Sequence, residues 1–336
     1  MDDYGKIKAC ILQPAKVVIV SHQSPDGDSI GASLAVTHLL TQLGHEVVPI
    51  IPDPAPDFLH WMPGFDEVKV YDQEQEDCNQ KIKEADIIFC LDFNDLNRVG
   101  AMAEHIRMNR NATLINIDHH REPKMFATYH YLNHHTSSTA QLVYELFDKM
   151  GFDKLFNTAT AECIYTGIVT DTGSFRFSST SASTHSITSQ LIHLGVDGAQ
   201  IHQRVFDNYS ESRLKLLGYA LNEKLLFLKE YSTAIIYLTE VELSKFHFQK
   251  GDTEGLVNYP LSINWVKIAI LITEDKNKVK LSFRSKGDFP VNELAGKYFS
   301  GGGHQNAAGG MSKSSVEETL NTLKKVIPLY AEKLNA

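Results

Sequence analysis

Hydrophobic positions in the first half of the chain come in short β-branched runs, each followed by a segment with helical spacing. Residues 17–20 (VVIV), 47–51 (VVPII), 87–91 (IIFCL) and 113–117 (TLINI) read as buried strands. Residues 29–43 repeat apolar positions at helical intervals and stop at Gly44, a C-terminal cap. Further helices are predicted up to about Met150, capped by Thr136, Ser137 or Ser138, then over 159–170 and over 183–194, stopped at Gly195. Strands alternating with helices predict an α/β fold with a doubly wound, mainly parallel sheet. Residues 200–228 read as helical, with breaks at 195–198 and 209–212. Strands follow at 232–238, 266–273 and 278–284, with Asp275, Lys276 and Asn277 as a hairpin turn, predicting a smaller α/β domain with a mixed sheet. The expected division is a first domain over 1–190, a helical linker over 191–220 and a second domain over 221–336. At 336 residues the chain can bury two cores.

Composition narrows the class. The chain is 43% hydrophobic and 22% charged, and no apolar run approaches the roughly 18 residues of a membrane helix. Its first residues, MDDYGKIKACILQPAK, lack the basic and apolar regions of an export signal. Cys10, Cys78, Cys90 and Cys163 lie far apart, which argues against a disulfide framework or a thiolate zinc site. A cytoplasmic protein without a membrane partner is expected. Net charge is −9 with no dense Lys/Arg run, so a protein tracking long duplex nucleic acid is not expected, and any nucleic-acid substrate is short.

Chemistry-bearing residues follow the predicted strands. His22, Asp26 and Asp28 come after 17–20, on a loop turned by Pro25 and Gly27. Asp92 follows 87–91 directly, and Asp118, His119 and His120 follow 113–117. Such residues gather on the C-terminal edge of a parallel sheet, where α/β proteins bind ligands. Asp171, ending the helix over 159–170, makes the set up to His22, Asp26, Asp28, Asp92, His119 and Asp171. One Asp in a turn ordinarily bonds only its own backbone; six such groups have the count of a dinuclear site. Imidazole and carboxylate without thiolate suit Mn²⁺ or another first-row divalent ion. Trp61 and Met62 are expected to pack locally, the segment around 73–80 to be a solvated surface piece, and the remaining histidines, His134 and His135 included, to have no ligand role.

The motifs His22-Gln-Ser-Pro-Asp26-Gly-Asp28, Asp92, Asp118-His119-His120 and Asp171-Thr-Gly resemble, in order and interval, the four motifs of the DHH phosphoesterase superfamily. That resemblance implies two divalent cations, Mn²⁺ with Mg²⁺ or Co²⁺ as alternatives. His22 and Asp26 would hold one, and Asp28, His119 and Asp171 the other, with Asp92 bridging. Asp118 would fix a neighbouring imidazole, and His120 would face the substrate, as general acid for the leaving oxygen or as a hydrogen-bond donor to the phosphoryl group. A pair of cations clamps the attacking and leaving oxygens of a phosphoryl transfer. Arg284, Ser285 and the loop of Gly301, Gly302, Gly303 and His304, followed by Ala307-Ala308-Gly309, resemble the substrate-binding DHH-associated domain. The resemblance places the active site in the interdomain cleft, with Arg284, Ser285, Gly302, Gly303 and His304 holding a terminal phosphate or nucleotide.

Among superfamily branches, the pyrophosphatases carry a basic Ser-Arg-Lys-Lys-Gln stretch, which this sequence lacks, and the RecJ-type exonucleases add an oligonucleotide-binding barrel, for which the 26 residues after Gly310 leave no room. The larger cyclic-dinucleotide phosphodiesterases carry membrane and sensor domains, also not seen. The compact nanoRNase/pAp-phosphatase type is what the resemblance then implies: hydrolysis of short single-stranded RNA to 5′-mononucleotides, and of 3′-phosphoadenosine 5′-phosphate (pAp) to AMP. A phosphodiesterase for pApA or another signalling dinucleotide, and a non-catalytic nucleotide sensor, are the alternatives. A homodimer stays open, since subunit contacts leave no reliable mark on one sequence.

Overall fold

The computed structural model describes residues 3–207, 209–249, 251–276 and 278–335. The chain divides into two compact units, Met1–Asn208 and Tyr209–Ala336. In the first, α1 (Tyr4–Cys10), β1 (Lys16–Val20), α2 (Gly27–Gln42), β2 (Glu46–Ile51), β3 (Lys69–Val70), α3 (Gln75–Glu84), β4 (Ile87–Leu91), α4 (Met102–Met108), β5 (Thr113–Asp118) and β6 (Tyr129–Leu132) precede four helices. These are α5 (Thr139–Lys149), α6 (Thr158–Asp171), α7 (Ala182–His193) and α8 (Gly198–Phe206).

All six strands are parallel, in the order β3-β2-β1-β4-β5-β6. Alternate residues of β1 feed two layers. Val17 and Ile19 pack with Leu34 of α2, Leu142 of α5 and Ile164 of α6. Val18 and Val20 pack with Ile82 of α3 and Ile106 of α4. The order reverses between β1 and β4, the switch point where open α/β sheets form a crevice beyond the strand ends. α2 and α6 meet so closely that a Cβ on Gly31 would stand 2.5 Å from the Cys163 carbonyl oxygen.

The second unit holds α9 (Glu211–Glu223), β7 (Leu225–Leu228), β8 (Thr233–Leu238), α10 (Glu240–Ser244), β9 (Ile268–Asp275) and β10 (Lys278–Ser285). α11 (Val291–Tyr298), β11 (Gly302–His304), β12 (Ala307–Ser312), α12 (Val316–Val326) and α13 (Ala331–Asn335) complete it. Its sheet runs β11-β12-β10-β9-β8-β7 and is mixed: β8 and β9 are parallel and the other neighbours antiparallel. Ile270 and Phe283 pack on one face with Leu294 of α11 and Leu323 of α12; Ile236 and Leu271 pack on the other with Leu216 of α9.

Several elements differ from expectation for local reasons. α2 starts at Gly27, because the Asp26 carboxylate accepts from the N–H groups of Asp28 and Ser29 and caps it. Asp26 and Asp28 therefore lie at a helix start, not on a loop. The polar segment at 75–84 is helical and buries Cys78 and Ile82, one turn apart. Residues 225–228 continue the sheet as β7 where a helix was expected, and the Gly-rich loop is an edge strand, β11. α8 lies in the first unit and α9 in the second, so the helical segment at 191–220 is divided between them. Asn277 of the expected hairpin turn lies outside the described residues. Met62 is buried and Trp61 packs against the first core, with the Arg204 guanidinium 4.6 Å from its ring centre. Among the described residues no helix is long and apolar enough to cross a membrane, and all four cysteines are free.

Candidate metal centre

His22 follows β1, Asp92 follows β4, and Asp118 ends β5, with His119 and His120 next; these strands are neighbours at the switch point. α2 contributes Asp26 and Asp28, and the last residue of α6 contributes Asp171. Donor atoms form three groups, each within 4.8 Å: His22 with Asp26 and Asp92, Asp28 with His119 and Asp171, and Asp92 with His119 and His120. All six residues expected to hold metal are in this one cluster. Asp92 divides its oxygens. Its Oδ2 lies 3.3 Å from His22 Nε2, and its Oδ1 lies 3.6 Å from His119 Nε2. His22 Nε2 is also 3.7 Å from Asp26 Oδ2, and His119 Nε2 is 3.5 Å from Asp171 Oδ2 and 3.9 Å from Asp28 Oδ2.

The imidazoles are oriented by their other nitrogens. His22 Nδ1 meets the Gln23 carbonyl at 2.8 Å and His119 Nδ1 the Thr136 carbonyl at 3.4 Å. A carbonyl can only accept, so Nδ1 carries a proton and Nε2 is the nitrogen turned toward the carboxylates; once Nε2 gives up its own proton it has a lone pair for a cation, as in metal-binding histidines. His120 differs: its Nδ1 lies 2.7 Å from Asp118 Oδ1. Asp118 is fully buried and also accepts from the His120 N–H at 3.2 Å.

Electrostatics fit a cation. Burial first, then the charges of Asp92, Asp171 and Asp26, hold the Asp28 carboxyl well above its usual range. Burial likewise raises Asp171 to about 7. Burial opposes the ionised form of Asp92 too, but the His22 hydrogen bond and the neighbouring imidazoles hold its pKa below the usual range. His22 is pushed up to about 9, burial being outweighed by Asp92 and Asp26. Four crowded carboxylates with imidazole nitrogens turned among them are a donor set for divalent ions. Donors on one ion, at bond lengths of about 2.0–2.2 Å, stand roughly 3–4 Å apart, as these do.

Three supports were not read from the sequence. Asp92 has φ 66°, a left-handed conformation that costs free energy away from glycine. Asn116, buried on β5, donates to the carbonyls of Cys90 (3.0 Å) and Phe93 (3.1 Å), pinning the chain on both sides of Asp92. An amide inside an apolar strand was the available signal, since a buried polar group needs a partner. Thr139, first residue of α5, donates its hydroxyl to Asp92 Oδ1 at 2.8 Å and its N–H to Asp28 Oδ2 at 2.6 Å. Gly167 leaves room for this contact: a Cβ there would lie 2.9 Å from Asp28 Oδ1 and 2.5 Å from Ala140 Cβ.

The second unit arranges its own polar groups. Arg284 on β10 is in register with Ala307 on β12, and Ala307 with His304 on β11. Residues directly opposite share a face, so Arg284 and His304 flank a small alanine on one side of the sheet. Ser285 points to the other side. Its hydroxyl donates to the Phe289 carbonyl at 2.7 Å and accepts from Asn306 at 3.0 Å, so it braces the turn after β10. Gly302 and Gly303 pair with Gly309 and Ala308. A Cβ on Gly303 would come within 2.6 Å of the Ala307 carbonyl oxygen.

Residues 16–168 match the DHH family, N-terminal domain, and residues 232–332 match the DHHA1 domain. A Thermus thermophilus protein named bifunctional oligoribonuclease and PAP phosphatase NrnA is 29% identical over 88% of this chain and 84% of its own. The cyclic-di-AMP phosphodiesterase GdpP of Bacillus subtilis is 26% identical over 97% of this chain but 49% of its own. The crystal structure of an exopolyphosphatase-related protein from Bacteroides fragilis is 41% identical over 99% of this chain and 97% of that one, with a TM-score of 0.96. RecJ of Thermus thermophilus, solved in complex with Mn²⁺, shares the fold at a TM-score of 0.55 and 13% identity, over 98% of this chain and 54% of its own. The chain belongs to the DHH family, its second unit being a DHHA1 domain.

Proposed function

We propose that this protein is a metal-dependent phosphoesterase that hydrolyses short RNA oligonucleotides to 5′-mononucleotides and removes the 3′-phosphate of pAp to give AMP. The observation that carries the reading is the division of the Asp92 oxygens between two ligand groups, beside a histidine held by a buried carboxylate. The NrnA relatives, matched over most of their length, support the choice of substrates. His22 and Asp26 would hold one cation, Asp28, His119 and Asp171 a second, and Asp92 both; we take the metal to be Mn²⁺. Such a pair supplies charge neutralisation and an activated water.

The chain's own groups account for the rest. Both reactions break a P–O3′ bond: the oxygen of water attacks phosphorus as the water gives up a proton to solvent, and the ribose 3′-oxygen leaves with a proton. His120 supplies that proton from Nε2. Burial disfavours its charged form, but the bond to Asp118 and the nearby Asp92 charge outweigh this and raise its pKa, as an acid working near neutral pH requires. Asp118 holds Nδ1 and so aims Nε2. In the second unit, Arg284 and His304 would bind a substrate phosphate, Arg through its planar fork, with backbone N–H groups of Gly302 and Gly303 nearby and Ser285 bracing the turn. A small acidic protein that holds one end of its substrate favours short ones. In the same reading the protein works in the cytoplasm on short single-stranded RNA and pAp.

The test is product analysis after adding Mn²⁺ to metal-stripped protein with an RNA pentamer, pAp, pApA and pyrophosphate in parallel. Mononucleotides from the pentamer together with AMP from pAp support the proposal. Cleavage of pApA alone would replace it with a dinucleotide phosphodiesterase, and phosphate from pyrophosphate alone with a pyrophosphatase.

A further inference from the structure

We infer that Thr139 is a positioning residue that locks the two halves of the metal centre to each other; the inference rests on the two-cation reading above. Asp92 joins the group of His22 and Asp26, while Asp28 joins that of His119 and Asp171. Thr139 touches one carboxylate of each, through its hydroxyl and its N–H. The N–H of Ala140 adds a bond to the other oxygen of Asp28 at 2.8 Å. First-turn N–H groups have no acceptor within their own helix, so α5 can give two of them to Asp28.

The hydroxyl is not employed in capping. Ser138 does that, its Oγ accepting from the Gln141 N–H at 3.0 Å. An ionised carboxylate can only accept, so the Thr139 proton points at Asp92 Oδ1 and fixes which way this carboxylate turns, leaving Oδ2 toward His22. Thr139 is fully buried, so water does not compete for these bonds. Its β-branched side chain is restricted at χ1, which makes the link between the two carboxylates short and stiff. Loss of the hydroxyl frees Asp92 to rotate and loosens the shared ligand, while the backbone bonds to Asp28 persist.

The experiment compares Thr139→Ser with Thr139→Ala. Both lack the methyl group and differ only in the hydroxyl, so packing losses cancel. Mn²⁺ titration by calorimetry of metal-stripped protein gives stoichiometry and affinity, and electron paramagnetic resonance reads the exchange coupling of a Mn²⁺ pair. The inference expects two ions in wild type and in the serine variant. In the alanine variant the weaker ion binds roughly tenfold less tightly, as when a group that orients a metal ligand is removed, and the coupling signal changes. Equal affinity and equal coupling in the two variants would overturn the inference. Fewer than two ions in wild type would instead overturn the dinuclear reading itself.

Discussion

Asp92 concentrates the demands of the site in one side chain: a left-handed backbone, a fully buried carboxylate, and contacts to both ligand groups. Asp92→Ala is expected to remove turnover and lower the bound Mn²⁺ below two per chain while the circular dichroism spectrum stays folded; normal turnover would end the shared-ligand account. His120→Ala should keep both ions and lose roughly 10²–10⁴-fold in kcat, the usual contribution of a positioned acid. The pH behaviour of the metal-free protein follows from two shifts. His22, raised to about 9 from 6.5, stabilises the fold fully below pH 6.5 and loses that contribution as pH rises through 9. Asp171, raised to about 7 from 3.8, keeps in the fold a proton that the unfolded chain has released, so stability falls as pH rises from about 4 to about 7. Metal-free protein should therefore melt at lower temperature as pH is raised from about 6 to about 9. Added Mn²⁺ replaces those protons, so it should raise the melting temperature most at the alkaline end and release protons on binding. A melting temperature that rises with pH in the metal-free protein would contradict the crowding of charge described for the centre. The clustered residues themselves were legible in sequence, because each follows a strand or helix whose type its own pattern reveals. Thr139 was not, since its role depends on which carboxylates the fold brings within 3 Å, and the role of Asn116 depends on which backbone carbonyls come to lie beside its amide.

At the scale of elements, α2 and α6 approach through Gly31, about one turn along α2 from Asp28. Gly31→Ala should overpack this contact and cost about 1–3 kcal/mol, a fall in melting temperature of roughly 2–4 °C for each kcal/mol, while metal affinity per folded molecule changes little. Gly167→Ala, whose Cβ would press on Asp28 and Ala140, should weaken Mn²⁺ binding as well; equal metal affinity in the two variants would show that Asp28 is held independently of the α5–α6 contact. The same scale shows where reading a pattern gives out. α3 has only Cys78 and Ile82 buried, too little apolar signal to stand above its acidic neighbours. β7 carries LLFL directly after α9, and an apolar run of four does not distinguish a helix end from an edge strand. β11 contains Gly302, Gly303 and His304, a composition that argues against a strand; it forms because glycines let it close on β12, where a Cβ at Gly303 would strike Ala307.

For the whole molecule, the two sheets were predictable in kind because strands alternating with helices force a parallel sheet, and consecutive strands with a tight turn allow an antiparallel one. The face that Arg284 shares with His304 was not, since it depends on registers across three strands. In the proposed function one centre performs both reactions, because each breaks a P–O3′ bond. Competition between the substrates tests this most directly: the rate of pentamer hydrolysis is followed at rising pAp under saturating Mn²⁺. A single centre predicts competitive inhibition, with a Ki for pAp equal to its KM as a substrate. Full pentamer turnover in the presence of saturating pAp would show that the two reactions occur at separate sites and would contradict the account.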